Sequence, residues 1–250
     1  MNSSLIIAKL ILIKAWRRHL VASVLLLLAP VLLAAWGFET ANPGFQTGFV
    51  KDMAGMFMNF SAALLLLVLA YDHCHWRDNK TPPWFYMSRC KSRSELTVGQ
   101  FSGICAVIFM GLTVIATAFL LFMRLASGYW FFELYVIAAL KFMQFMLLTA
   151  LAILFSQLMS KLLSLGAVIL VSVAGVSSEL IRQIFETENF HPLVFEPLMA
   201  LLPDLTLYNT STLIFEPALW FFLAATMIYS LFMTGFYLLL ADMIFSRRDF

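Results

Sequence analysis

Six apolar runs, each close to the length a helix needs to cross a bilayer, dominate what this chain can become. A hydrocarbon core of about 30 Å takes roughly 20 apolar residues in α-helical geometry. Residues 20–38, 53–71, 101–123, 134–158, 162–178 and 218–241 meet that requirement. The fifth run is the shortest, and the fourth carries a charge, Lys141. Only 12% of the residues are charged, about half the share expected of a soluble domain, so most of the surface must face lipid. The sequence therefore predicts an all-α integral membrane protein, a single transmembrane domain over residues 1–250 with six spans.

The distribution of Lys and Arg gives the orientation. One side of the predicted layout collects Lys9, Lys14, Arg17, Arg18, Arg77, Lys80, Arg89, Lys91, Arg93, Lys161, Arg247 and Arg248. The other side receives Lys51, Arg124 and Arg182. The richer side is expected to be cytoplasmic, with both termini on it. Cys74 and Cys90 then fall in a cytoplasmic loop and Cys105 inside a span, so none reads as half of a structural disulfide. No cleavable signal peptide is evident before the first span. No basic run points to nucleic acid.

Three segments outside the spans carry further information. Residues 1–19 read as an amphipathic interfacial helix. Lys9, Lys14, Arg17 and Arg18 occupy about half of its circumference, and Leu5, Ala8, Leu12, Ala15 and Trp16 the other half. Trp16 would sit at headgroup level. The alternative is that this stretch extends the first span and snorkels its charges. The cytoplasmic loop 72–100 holds Thr81, Pro82 and Pro83, a helix start, followed by the cluster Trp84, Phe85, Tyr86 and Met87. Ser92 and Glu95 then form a capping box ahead of the next apolar run. Aromatic residues beside arginines such as Arg89 and Arg93 point to a protein contact; a short turn resting on the membrane is the other reading. The third segment, 179–217, is external and acidic, with Glu179, Glu186, Glu188, Glu196 and Asp204 against Arg182. Its apolar piece 197–202 rises only about 9 Å as a helix, too short to span. It is expected either to re-enter the outer leaflet against protein or to be a surface loop with one buried turn.

Catalytic chemistry is hard to find. All four histidines lie outside the spans, and no HExxH is present. Gly175, Val176, Ser177 and Ser178 lack the closing glycine of a nucleophile elbow and have no in-span histidine to act as base. His73, Cys74 and His75 have no second cluster to complete a metal site, and Met53, Met56 and Met58 read as packing residues. No catalytic or metal site is predicted. Lys141 is the ionisable residue deep within a span, with Gln144 one turn on. It either snorkels to the outer surface or makes a polar contact in a translocation path or subunit interface, for which Gln144 and Asn59 are further candidates. Gly99, Gly103 and Gly111 suit close helix packing. The chain has no GxxxxGK[ST], so any ATP-driven work needs a separate ATPase.

This layout resembles the permease subunits of type-2 ABC exporters. The resemblance rests on an amphipathic N-terminal helix and on Asp72 ending the second span. It rests also on Ser92, Arg93 and Gly99 leading into the third span, on the long external 179–217 connection, and on the closing Arg247, Arg248 and Asp249. Two positions depart from the family pattern: Cys90 and Lys91 stand where a proline is frequent, and Gln100 where a lysine is. The resemblance implies two permease chains, identical or different, paired around a path for an amphipathic or hydrophobic substrate. It also implies cytoplasmic ABC ATPase subunits that hold ATP and Mg, and a bacterial cytoplasmic (inner) membrane. Trp84, Phe85, Tyr86, Arg89, Ser92 and Arg93 would form the coupling helix, and the external segment the exit gate. The rival readings are a secondary transporter and a membrane assembly factor that does not use ATP.

Overall fold

The computed structural model describes residues 3–41, 46–74, 93–128, 130–178, 203–209 and 219–246. These residues form seven α-helices and one 3-10 turn, with no strand among them. The helices are α1 (Ser3–Arg17), α2 (Leu20–Ala41), α3 (Gln46–His73), α4 (Arg93–Ser127), α5 (Glu133–Leu158), α6 (Lys161–Val176) and α7 (Leu219–Ser246); the 3-10 turn is Thr206–Tyr208. Each apolar run of the sequence coincides with one helix. Four helices are long and apolar enough to cross a membrane, namely α3, α4, α5 and α7. The chain is an integral membrane protein. The first predicted span lies in α2, which follows α1 across a 47° bend. The fifth lies in α6, an apolar helix of 16 residues.

The bend between α1 and α2 has a local cause. His19 adopts φ 53°, the left-handed conformation that closes a helix, and its N–H donates to the Trp16 carbonyl. Thus α1 and α2 are separate elements rather than one straight helix.

Helix α5 is the centre of the bundle. About 72% of its apolar window is buried inside the protein, against 22% for α7, which therefore lies at the periphery. Around α5 pack α3, α4, α6 and α7. The ring contacts Phe57–Phe119, between α3 and α4, and Phe109–Phe142, between α4 and α5, join this core. The lipid-type residues Phe221, Phe232 and Leu239 of α7 and Leu162 and Leu170 of α6 are exposed. In water such faces would be unfavourable; against acyl chains they cost nothing.

Helix α4 begins at Arg93, eight residues before the predicted third span, and continues without a break into it. Capping-box helix and span are one element. Glu95 lies in its first turn, where a carboxylate favours the helix dipole. Gly99 does not interrupt it, because its missing side chain is what a neighbouring helix occupies.

Candidate functional site

Two polar clusters stand at opposite ends of the bundle. The first gathers where α3 stops and α4 starts. Helix α1 lies against the first turns of α4, burying Ile7, Ile11 and Ala15. Its seat is made by two glycines. A Cβ at Gly99 would stand 2.9 Å from both Ile7 Cβ and the Ser4 carbonyl oxygen; one at Gly103 would stand 2.9 Å from Ile11 Cδ1 and 3.1 Å from Ala8 Cα. Small residues four apart let two backbones approach this closely. Gly111, one face further along, faces Leu65 of α3 instead.

At the same end Arg18 forms an ion pair with Asp72, the acidic residue that ends the second span. Gln100 donates from Nε2 to the His73 carbonyl at 2.6 Å, satisfying one of the open carbonyls at the C-terminus of α3. Lys161, opening α6, places Nζ 3.4 Å from the centroid of the Tyr71 ring. Cys74 is fully enclosed here, and burial pushes its thiol up to about 12. Partial burial, and then the neighbouring Arg18 charge, lower the Lys14 ammonium from its ordinary value.

The second cluster forms around residues 203–209 at the other end. This short stretch is seated among α5, α6 and α7, with Leu205 and Tyr208 buried. Gly175 of α6 accepts the approach: a Cβ there would meet the Pro203 carbonyl oxygen at 2.7 Å, and the Gly175 carbonyl accepts from the Leu205 N–H at 3.2 Å. Asp204 folds the turn on itself, its Oδ1 accepting from the Thr206 N–H at 3.0 Å, the Thr206 hydroxyl at 2.6 Å and the Ser178 hydroxyl at 3.2 Å. The Asp204 N–H donates to Tyr229 Oη at 3.0 Å. Ser230 gives its single proton to the Thr226 carbonyl, so it is Tyr208 that donates to Ser230 Oγ, at 2.6 Å. Burial first of all pushes the Tyr208 phenol up to about 12, which keeps it a neutral donor.

Lys141 belongs to this cluster. Its Nζ donates to the Tyr208 carbonyl at 3.0 Å and, more weakly, to Gln144 Oε1 at 3.3 Å. Lys141 is 9% exposed and Gln144 4%. The lysine is turned inward onto the 203–209 turn. Nearby on the same end, Lys51 of α3 pairs with Glu133 of α5. Arg124 stands 5.3 Å from the Trp130 ring and donates to the Gly128 carbonyl. Exposed Trp130 and Phe132 stack there, as aromatic residues do at a membrane–water boundary.

The other predicted site residues distribute as follows. Lys9, Lys14, Trp16 and Arg17 are exposed along α1, Trp16 at 71%, and Arg18 is exposed in the turn after it. Asn59 is half-buried on α3, and its Oδ1 is enclosed without a hydrogen-bond partner. Arg93 is the first residue of α4. Trp84, Phe85, Tyr86, Arg89 and Ser92 lie outside the described residues, as do 179–202, which include the apolar piece 197–202, and Arg247 to Asp249. Among the described residues, no group of three or more His, Cys, Asp or Glu is placed to hold a metal. Sequence reasoning did not single out Tyr208, Tyr229 or Ser230, and weighed Gly175 only as part of an incomplete nucleophile elbow. The usable signal was Pro203 and Asp204 followed by Thr206, an Asx-turn pattern within an otherwise apolar stretch. No protein-family model matches the chain, and no curated protein matches it.

Proposed function

We propose that this chain is the permease subunit of an ATP-driven exporter of the type-2 ABC kind. In this reading six spans cross a bacterial inner membrane: the four long helices together with α2 and the short α6. Both termini lie in the cytoplasm with the Arg18–Asp72 cluster. Two permease chains pair around a path for an amphipathic or hydrophobic substrate, and separate ATPase subunits bind ATP and Mg below them.

One observation supports this reading most. Three of the features that carry the family resemblance are far apart in sequence but adjacent in the fold: the N-terminal helix lies on Gly99, and Arg18, just after it, pairs with Asp72. A force applied at the loop before Arg93 would therefore reach α1, α3 and α4 together. That is the arrangement a coupling surface needs, since rigid bodies pass small displacements along their packed contacts.

The test is the mass of the intact complex, extracted from native membranes in mild detergent. Two chains of this size with two ATPase subunits is the expected composition. A homodimer or single chain, stable without an ATPase under several gentle extraction conditions, would falsify the proposal.

A further inference from the structure

Among the described residues, no opposite charge is paired with Lys141. It lies eight residues after Glu133, so about 12 Å along α5 from the helix start and within a membrane-crossing segment. Around it on α5, Leu134, Ile137, Ala138, Leu140 and Phe145 are buried and apolar. Its two acceptors, the Tyr208 carbonyl and Gln144 Oε1, are both neutral. An ammonium carries three N–H donors, and the described residues supply acceptors for two of them.

Asp204 is the carboxylate of this turn, yet its Oδ1 is committed to Thr206 and Ser178. Among the described residues no carboxylate lies within ion-pair distance of Lys141. An unpaired cation in such surroundings is costly, and neutral dipoles offset only part of that cost. An anion beside Nζ would offset far more, because charge-assisted hydrogen bonds exceed neutral ones in strength.

We propose that Lys141 is the binding point for the anionic head group of an amphiphile, a phosphate or carboxylate carried on an alkyl chain. The anion takes Nζ over from the Tyr208 carbonyl, and the 203–209 turn loses its attachment to α5. Substrate arrival and release of the turn are then one event. This names the substrate class for the export reading and rests on it for its purpose, although the binding itself needs no nucleotide.

The full chain in a neutral maltoside detergent is photolabelled with a dodecyl phosphate bearing a diazirine on its alkyl chain, and in parallel with the matching phosphocholine. The phosphate probe is expected to label α5 and α7 near Lys141, and excess inorganic phosphate to compete poorly. Lys141→Gln should cut that labelling by about tenfold or more while Lys141→Arg retains it, as loss of one partner of a buried charge pair does. Equal labelling by the two probes, label confined to α1, or unchanged labelling of Lys141→Gln would overturn the proposal. Complete competition by millimolar inorganic phosphate would overturn its amphiphile part. Should Lys141→Gln fail to fold, the comparison of the two probes on the native chain decides alone. A negative result with a complex of two permeases and two ATPases intact removes the anion site and leaves the exporter reading standing.

Discussion

Tyr208 joins two helices through two different atoms. Its carbonyl holds Lys141 of α5, and its hydroxyl donates to Ser230 of α7. Tyr208→Phe removes the second bond alone. A loss of roughly 0.5–1.5 kcal/mol is expected, the net worth of one buried hydrogen bond. The pH dependence has a definite sign. Because burial raises the folded-state value to about 12, the stability tied to the neutral phenol is complete below pH 10 and falls as pH rises toward 12. Thermal unfolding in detergent between pH 8 and 11.5 should show wild type losing more stability at the alkaline end than Tyr208→Phe. Parallel curves would mean that Tyr208 ionises as easily when folded as when unfolded. The same residue shows a limit of sequence reading. A tyrosine five places after the proline that closes an apolar piece has no periodicity to mark it, and its partners sit 67 and 22 residues away.

Helix positions, by contrast, were legible, because a span must supply its own apolar length and each apolar run coincides with a helix, four of them long enough to cross a membrane. The faces of those helices were not. For α1 the residues point to Leu5, Ala8, Leu12, Ala15 and Trp16 as the apolar face, yet Ile7, Ile11 and Ala15 are buried, while Leu5 and Trp16 are exposed. The cause is Gly99 and Gly103: a helix selects its buried stripe by the shape of the neighbour it meets, and that neighbour is distant in sequence. The α1–α4 contact makes a prediction at this scale. Gly99→Val places methyl groups against the Ser4 backbone, which cannot rotate away, and should cost about 1–3 kcal/mol. Tryptic cleavage at Lys9 and Lys14 should rise with it as α1 detaches. Gly166→Ala, inside α6 where a Cβ meets open space, serves as the control and should leave proteolysis unchanged and stability the same or slightly raised. A Gly99→Val chain as protease-resistant and as stable as wild type would mean that α1 does not need this seat.

Across the whole molecule, the two polar clusters divide the labour that the proposed function requires. One lies where α1, α3 and α4 meet; the other lies where α5, α6 and α7 hold residues 203–209. Helix α5 runs between them, the most enclosed span of the bundle. If ATPase subunits act on the loop before α4, replacing both Trp84 and Arg93 by alanine should leave the complex assembled while ATP hydrolysis proceeds without transport. Reconstituted vesicles would report both rates, and normal coupling in the double variant would remove this loop from the coupling surface. The order in which the chain is made adds a last consequence. Helix α1 leaves the ribosome before α4, so Gly99 and Gly103, on which Ile7 and Ile11 come to rest, emerge only with the third apolar run. During synthesis the N-terminal helix must wait, with Ile7 and Ile11 uncovered, until its cradle has entered the membrane. A nascent chain halted before residue 93 would expose what the finished protein hides.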